Sequence, residues 1–393
     1  MLNPAEQNEV TELCRALIDA PSLSGQEEPA AGVLRAFMEK NGFDEIRVDR
    51  YGSIVGCLRG QRPGPALLFD AHIDTVPVGR PEAWQYEPFK GTLANGRIYG
   101  RGTSDMKGPL AAMLTGAVSF AKNRDFAGSL YVSGVVHEEC FEGVAAREVS
   151  AYARPDIVVV GEASDLKIMI GQRGRAEVLL ETLGVPAHSA HAHKGVNAVH
   201  AMLRFIAEVE KIPEKSHPVL GKGVSVLTDI ISTPYPGASV VPSHCRVTYD
   251  RRLLVGETPE TVIAPYREAM HRAAQGDPAF KGSANFAGGS EKCWTGETIS
   301  AERFFPGWLF DEKEVFVQRA RTALQSLGLE APIAHYEFCT NASHYAGEAG
   351  IRTIGFGPSL GSLAHVDDEY IELEQLYAAT AGYAAIAAAL LVD

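Results

Sequence analysis

The stretch Leu67-Leu68-Phe69-Asp70-Ala71-His72-Ile73-Asp74 begins as an apolar run typical of a buried β-strand and ends in a His-x-Asp pair. Imidazole is the commonest protein ligand for metal ions, and a carboxylate two residues further along a strand points to the same side. A metal ion bound by His72 needs more ligands, which have to come from distant parts of the chain. The stretch therefore predicts a strand that ends at a metal site.

Further acids and a second histidine stand at places where such a site could be completed. Two of these places, like His72, follow a short apolar run, and parallel α/β sheets bind ligands outside the carboxyl ends of their strands. Two histidines with several carboxylates suit Zn²⁺, Mn²⁺ or Co²⁺ better than Ca²⁺ or Mg²⁺. The candidates, besides His72, are Asp105 in the Gly-rich segment 100–108, the pair Glu138-Glu139, Glu162 and His365.

Each candidate alone also has an ordinary explanation. His72 could be a structural histidine, Asp105 a helix N-cap, and Glu138-Glu139 a solvated turn. The combination favours a metal site, because two like charges after an apolar strand are costly to bury without a cation. Other motifs fail: His137-Glu138-Glu139 lacks the second histidine of a zincin helix, and no dinucleotide fingerprint or nucleophile elbow is present.

The alternation of strand-like and helix-like segments predicts the fold class: an α/β protein with a mixed, mostly parallel sheet flanked by helices. Near residue 174 the pattern changes to the β-α-β-β-α order of a small two-layer α+β domain inserted into the first. We expect a catalytic domain of residues 1–174 and 300–393 and an inserted domain of residues 175–299. Residues 281–308 have little periodicity and predict an irregular segment.

Composition narrows the functional class. The net charge of −13 argues against nucleic-acid binding, which needs a basic surface. The Ala-rich stretch 377–392 is too short for a membrane span, and the N-terminus has no secretory signal pattern. Six scattered cysteines without a Cys-x-x-Cys pair suit a reducing compartment. We expect a cytoplasmic protein with no nucleic-acid or membrane partner.

The ordered set of motifs resembles the dinuclear zinc amidohydrolases that include acetylornithine deacetylase, succinyl-diaminopimelate desuccinylase, aminoacylase and glutamate carboxypeptidase. The resemblance covers nearly the whole chain. It rests on Phe69 to Pro77, on Gly100 to Gly108, on the Glu-Glu pair, on Gly161-Glu162 and on Ala364-His365. Within the family the chain looks nearest to the selenium-metabolism-linked hydrolases, through segments 221–223, 250–258 and 339–341.

The resemblance implies roles for the metal-site residues. Asp105 would bridge two divalent ions, zinc or else cobalt or manganese. His72 and Glu162 would bind one ion, and Glu139 and His365 the other. Asp74 would orient His72, and the Asp105–Met106 peptide would be cis. The residues alone leave the roles of Glu138 and Glu139 interchangeable; the family order makes Glu138 the general base.

The resemblance also extends to the inserted lid/dimerisation domain and to substrate contacts. His188 matches a histidine that reaches the partner subunit's active site to stabilise the oxyanion, and Arg252 matches an arginine that binds the substrate carboxylate. Ser239, Thr340 and Asn341 fall at substrate-contact positions. Ser239 stands where many relatives have Asn, and 338–341 replaces Gly-Gly-Thr-Asp, so the acetylornithine and diaminopimelate substrates are disfavoured. His191 and His193 have no match and suit an exposed loop.

We therefore expect a homodimeric, metal-dependent hydrolase of an amide bond, acting on an N-acyl amino acid or a small peptide with a free carboxylate. The alternatives are a dipeptidase or carboxypeptidase, a catalytically silent metal-binding dimer, and a nucleotide-binding oxidoreductase. The intact Glu138 and His188 argue against a silent dimer, and the missing fingerprint argues against the oxidoreductase.

Overall fold

The structure is a computed structural model that describes residues 2–392. The chain forms two compact units. Unit 1 comprises Met1–Gln172, Ser290–Ser300 and Leu309–Asp393, and unit 2 comprises Arg173–Gly289 and Ala301–Trp308.

Three of the α-helices begin at a residue whose side chain accepts amide hydrogens of the first turn. The Asn3 side chain accepts the amide hydrogens of Ala5 and Glu6, and the Thr258 hydroxyl accepts that of Thr261, so orphan amides of the first turn are satisfied. In chain order the α-helices are α1 (Pro4–Ile18), α2 (Glu28–Lys40), α3 (Lys107–Phe120), α4 (Ala146–Ala153), α5 (Ala198–Val209), α6 (Pro259–Ala273), α7 (Val315–Ser326) and α8 (Leu373–Leu391).

The strands are spread over the whole length of the chain. Those up to residue 172 are β1 (Glu45–Val48), β2 (Ile54–Arg59), β3 (Arg62–His72), β4 (Thr92–Ala94), β5 (Arg97–Tyr99), β6 (Ala127–Val135), β7 (Ile157–Val160) and β8 (Ile168–Gln172). Those of the middle of the chain are β9 (Gly174–Leu183), β10 (Ser216–His217), β11 (Gly221–Lys222), β12 (Val224–Thr233), β13 (His244–Leu253) and β14 (Lys281–Phe286). The remainder are β15 (Gly288–Lys292), β16 (Thr298–Glu302), β17 (Phe304–Phe305), β18 (Trp308–Leu309), β19 (Ile333–Tyr336), β20 (Arg352–Gly355) and β21 (Tyr370–Glu372).

Unit 1 is organised by a mixed sheet that has nine strands among the described residues. Its order is β1-β2-β6-β3-β7-β20-β8-β18, with β19 pairing β8. The central strands β6, β3, β7 and β20 run parallel, so their carboxyl ends meet at one edge. The apolar side chains of β7 are buried throughout, as expected for a strand covered on both faces. The predicted mixed, mostly parallel α/β sheet with flanking helices is confirmed.

Unit 2 is a two-layer α+β structure. Among the described residues its main sheet has five strands in the order β12-β13-β9-β14, with β17 pairing β9, and all pairings are antiparallel. Helices α5 and α6 cover this sheet through a shared core that includes Val178, Val247, Phe205 and Tyr266. Strand β12 lies at one edge, and nearly all its residues are exposed.

Residues 281–308 are not irregular, so that expectation is wrong. They carry β14 to β18, including the hairpin β15–β16. Almost all residues of strand β15 are exposed. The strand therefore lacks the alternation of apolar and polar residues by which a half-buried strand is recognised in a sequence.

The middle of that hairpin groups with unit 1, whereas the sequence placed residues 290–299 in the inserted domain. The Trp294 indole lies directly over Gly52, whose φ is +108°, and the Thr295 hydroxyl donates to the Arg50 carbonyl at 2.7 Å. We call Ser290–Ser300 the arm.

No helix in residues 2–392 combines the length and hydropathy needed to cross a membrane.

Candidate metal centre

Three adjacent strands deliver the site. Strand β3 ends at His72, β6 ends at Val135 just before Glu138 and Glu139, and β7 ends at Val160 just before Glu162. Because these strands are parallel neighbours in the order β6-β3-β7, their ends converge. Asp105 comes from the turn that precedes α3, at a cis Asp105–Met106 peptide bond, and His365 comes from the segment before β21.

The Asp105 carboxylate faces both histidines with different oxygens. His72 Nε2 lies 2.9 Å from Asp105 Oδ1, and His365 Nε2 lies 3.2 Å from Asp105 Oδ2. His72 is buried, and the His365 side chain is 51% exposed. The carboxylate therefore stands between one enclosed and one open histidine.

The remaining carboxylates surround this row. Glu139 Oε1 lies 3.0 Å from His365 Nε2, while Glu162 Oε1 and Glu138 Oε2 lie 3.7 Å and 4.0 Å from His72 Nε2. In each of the triads His72–Asp105–Glu139 and His72–Glu138–Glu162, one ligand atom per residue lies within 4.8 Å of the others. The structure brings together all six residues that the sequence singled out as ligands or base.

Burial and mutual repulsion make the three glutamates of the site costly to ionise without a cation. Burial and the nearby Asp105 carboxylate raise the pKa of Glu162 to about 8. Burial and the carboxylates of Glu162 and Glu139 raise the pKa of Glu138 well above its usual range. Burial and Asp105 also raise the pKa of Glu139.

The same negative charges also raise the pKa values of the two histidines. Burial lowers the pKa of His72, but its hydrogen bond to Asp105 and the surrounding carboxylates outweigh burial and raise it well above its usual range. Hydrogen bonds to Asp105 and Glu139 raise the pKa of His365 to about 10. Both shifts have one cause, the negative charge of the surrounding carboxylates, which a bound cation would balance.

The donor set fits divalent metal ions. Ligands held at about 2.1 Å from one tetrahedral zinc ion lie about 3.4 Å apart, close to the histidine–carboxylate separations of this cluster. Buried oxygens with borderline nitrogen donors are the chemistry that zinc, cobalt and manganese share. His72, Asp105, Glu139, Glu162 and His365 are thus able to hold such ions.

Asp74 contacts both His72 and the turn that carries the two glutamates, and its role in orienting His72 stays a prediction. The Nδ1 atom of His72 contacts the backbone carbonyl oxygen of Asp74 at 2.9 Å, whereas the Asp74 carboxylate is 3.6 Å away. That carboxylate accepts the amide hydrogens of Glu138 and Glu139 at 3.0 and 3.1 Å, and the Ser24 hydroxyl at 2.8 Å. Asp74 therefore fixes the turn that carries both glutamates.

Thr340 and Asn341 are buried in unit 1, and their side chains contact protein groups. The Thr340 hydroxyl donates to Gln172 at 2.7 Å. The Asn341 amide donates to Asp70 at 3.0 Å and accepts from the Gly143 amide at 2.9 Å. A substrate contact at these positions would need the backbone or a change of side-chain partners, so the predicted role stays a prediction.

The other predicted substrate residues belong to unit 2. His188 is exposed, and its Nδ1 atom accepts the Ala190 amide at 3.1 Å. Arg252 is partly exposed and pairs with Asp250 at 3.2 Å, and Ser239 is exposed with a φ of +55°. The rings of His191 and His193 are exposed neighbours, 6.2 Å apart between centroids.

Sequence reasoning missed three buried charged residues beside the site. Glu369 accepts the amides of Ser104 and Asp105, and Glu27 accepts those of Gly25 and His137. The Lys107 ammonium donates to the carbonyls of Leu17 and Ala20, and burial lowers its pKa to about 7. Apart from the ion pair of Glu369 with Arg101, the partners named here are backbone groups, which leave no residue pattern in the sequence.

Known proteins resemble this chain over the candidate site and most of its length. The profile of peptidase family M20/M25/M40 matches residues 68–389. The chain is 32% identical over 387 residues to the uncharacterized protein YgeY of Escherichia coli (strain K12), covering 97% of this chain and 94% of that protein. It is also 32% identical over 254 residues to succinyl-diaminopimelate desuccinylase of Cereibacter sphaeroides (strain ATCC 17025), covering 60% and 65% of the two chains.

Solved structures have the same fold. The YXEP protein of Bacillus subtilis, described as a dinuclear metal-binding peptidase from the M20 family, superposes with a TM-score of 0.71 at 16% identity and covers 98% of each chain. The family match, the full-length relative and the metal-binding geometry agree: this chain is a member of the peptidase family M20/M25/M40 and a metal-dependent hydrolase of the peptidase or deacylase type.

Proposed function

We propose that this chain hydrolyses an amide bond in an N-acyl amino acid or small peptide, using two divalent metal ions. One observation carries the proposal: the two oxygens of Asp105 face two different histidines, at 2.9 and 3.2 Å. A carboxylate so placed is suited to bridge two cations. His72 and Glu162 would complete one binding site, and Glu139 and His365 the other.

When bound, divalent cations at these residues would supply Lewis-acid chemistry, which makes water more acidic and polarises a carbonyl group. The mixed nitrogen and oxygen donors favour zinc, with cobalt or manganese as alternatives. The desuccinylase relatives and the dinuclear metal-binding peptidase of B. subtilis support this proposal.

Glu138 is the proposed general base. Its carboxylate lies 4.0 Å from His72 and is buried, and burial with neighbouring acids raises its pKa. In this role the carboxylate would accept a proton from the attacking water and donate it to the leaving amine in the next step. The two amide hydrogen bonds to Asp74 hold the Glu138–Glu139 turn in place for this transfer.

Substrate recognition is assigned to unit 2. Arg252, whose side chain is oriented by its ion pair with Asp250, would bind a free carboxylate of the substrate. His188 would stabilise the developing oxyanion in the active site of a second subunit. These roles follow from the family resemblance, as does a contribution from Ser239.

A homodimer formed through unit 2 is part of the proposal. Among the described residues, β12 pairs on one side only, and its Ile230 and Ile231 are 53% and 46% exposed. Together with Tyr235 and Val199 they line a shallow groove beside the edge. An edge strand with exposed β-branched residues is a template for pairing with a second strand of the same kind.

The first test combines metal analysis with a substrate panel. Purified protein is measured for zinc, cobalt and manganese by elemental analysis. It is then assayed on N-acyl amino acids and dipeptides with and without chelator. We expect about two ions per chain and release of an amine that chelator abolishes. Absence of metal after reconstitution would contradict the proposal.

The panel also separates the alternatives. Cleavage restricted to dipeptides, or to carboxyl-terminal residues of peptides, would identify a dipeptidase or a carboxypeptidase. Metal binding without turnover on any member of the panel would favour a catalytically silent dimer. The cytoplasmic location proposed from the cysteine pattern needs a separate localisation experiment.

A further inference from the structure

The turn that carries Asp105 is held by a single buried carboxylate. Glu369 is fully buried, and its Oε1 atom accepts the amide hydrogens of Ser104 at 2.7 Å and Asp105 at 3.1 Å. Its Oε2 atom accepts from the Arg101 guanidinium at 2.6 Å. Arg101 is itself buried, so this is an ion pair without solvent.

The same residue connects the turn to the segment that supplies His365. Glu369 follows His365 by four residues, and its backbone carbonyl accepts the amide of Gly100 at 2.9 Å. The next residue, Tyr370, accepts the Ser104 hydroxyl through its carbonyl at 2.8 Å and pairs with Tyr99 at the start of β21. Two candidate ligands from distant parts of the chain are thus anchored at one point.

Two consecutive amides on one carboxylate oxygen determine the orientation of two successive peptide planes. The direction of the Asp105 side chain depends on that backbone, since its Cα–Cβ bond is set by the adjoining peptides. Hydrogen bonds to an ionised acceptor away from water are stronger than neutral ones. A bridging ligand tolerates only about 0.5 Å of misplacement.

We infer that Glu369 is a positioning residue that aims the Asp105 carboxylate and fixes its separation from His365. The inference rests on the proposed metal site and adds a residue that contacts neither metal nor substrate. Loss of its acceptor oxygen should weaken metal binding about 10- to 100-fold, the usual range for groups that orient ligands.

The first variant is Glu369→Gln, which keeps the shape but has only one acceptor oxygen, so an NH₂ group meets either the amides or Arg101. The second is Arg101→Met with Glu369→Ala, which removes both members of the ion pair and leaves no unpaired buried charge. Glu372→Gln is the matched control, because Glu372 also pairs with an arginine, Arg97, at 2.9 Å, but its side chain is 46% exposed.

Metal affinity is measured by competition with a chelating indicator for Zn²⁺, and coordination by the visible spectrum of the Co²⁺-loaded protein. Thermal unfolding of chelator-treated protein reports stability separately. We expect both Glu369 variants to bind metal at least tenfold more weakly, with an altered Co²⁺ spectrum, and the Glu372 control to match the wild type. Turnover should fall mainly in kcat, with little change in KM.

The inference is overturned if the double variant binds metal within threefold of the wild type, because the role of Glu369 is then confined to its ion pair. Failure of both variants to fold would overturn it too, since the residue would serve folding. A wild type that binds no metal would instead remove the proposed function itself.

Discussion

Polar residues are usually exposed and apolar residues usually buried, and two regions of this molecule depart from that rule in opposite ways: the carboxyl ends of the central strands of the large sheet, and the edge strand of the small sheet. At the carboxyl edge of β3, β6 and β7, ionisable groups such as His72, Glu138 and Glu162 are buried. On β12, the apolar side chains of Ile230 and Ile231 are exposed. Buried polar groups and exposed apolar stretches are the informative exceptions in a folded protein. Bound cations would balance the charges of the first edge, and a second apolar surface would cover the exposed side chains of the other.

The comparison is tested most severely at Glu138 and Glu139, where adjacent residues have different proposed roles. Glu138→Gln should lower kcat by about 10²- to 10⁴-fold while metal content stays at two ions, because a general base is lost and no ligand is removed. Glu139→Gln should lose metal. The measurements are turnover and elemental analysis.

Glu148→Gln, in α4, is the control and should change neither quantity. If Glu138→Gln loses metal as well, the triad of His72, Glu138 and Glu162 describes a ligand set, and Glu138 is not the base. Full turnover in Glu138→Gln would contradict the mechanism.

The exposed edge is tested by Ile230→Lys. A lysine on an edge strand opposes strand addition, and in a symmetric pair it is placed near its own copy. We expect the dimer to dissociate at least tenfold more readily, which corresponds to about 1.4 kcal/mol. Light scattering across a dilution series measures this change.

Val315→Lys in α7 is the matched control, since Val315 is 72% exposed but lies in unit 1. It should leave the association state unchanged. A monomeric wild type would contradict the proposed dimer and leave His188 without a second active site to enter.

The smallest effect concerns pH in chelator-treated protein. The pKa of Glu162 is raised to about 8 from an unfolded value of about 4.3, so the folded state binds the extra proton between these values. Stability contributed by that proton is complete below pH 4 and is lost as pH rises toward 8. Each proton contributes a slope of about 1.4 kcal/mol per pH unit.

Urea unfolding of chelator-treated protein between pH 5 and pH 8 measures this slope. We expect Glu162→Gln to reduce it by about one proton relative to the wild type, and the exposed-site control Glu337→Gln to leave it unchanged. An identical slope in Glu162→Gln would mean that burial does not perturb this carboxylate as described.

The two edges also differ in how far sequence predicted them. His72 and Glu162 are identifiable because they stand at or just after the end of a largely apolar strand segment, and parallel strands bring such positions together. The mixed sheet was predictable from the same alternation. Strand β15 was not, because an exposed hairpin has no apolar face to repeat.

Buried side chains that form hydrogen bonds with backbone atoms were equally difficult to identify from the sequence. Glu27 and Glu369 are buried and accept hydrogen bonds from backbone amides, which every residue except proline carries. Asn341 shows a related difficulty: the resemblance implied a substrate contact, which stays a prediction, and nothing in the sequence indicated that its amide group bonds to Asp70 and Gly143. Sequence therefore indicated which groups the strands deliver, and not which groups hold them.

The arm determines where the chain can be divided in a domain-exchange experiment. The chain passes from one unit to the other after Gln172, Gly289, Ser300 and Trp308. A domain exchange made at two junctions around residues 175–299 would therefore carry Trp294 and Thr295 away from Gly52 and Arg50. A chimaera that keeps unit 1 intact must leave Ser290–Ser300 with the recipient and take the donor's insert in two pieces, joined on either side of that hairpin.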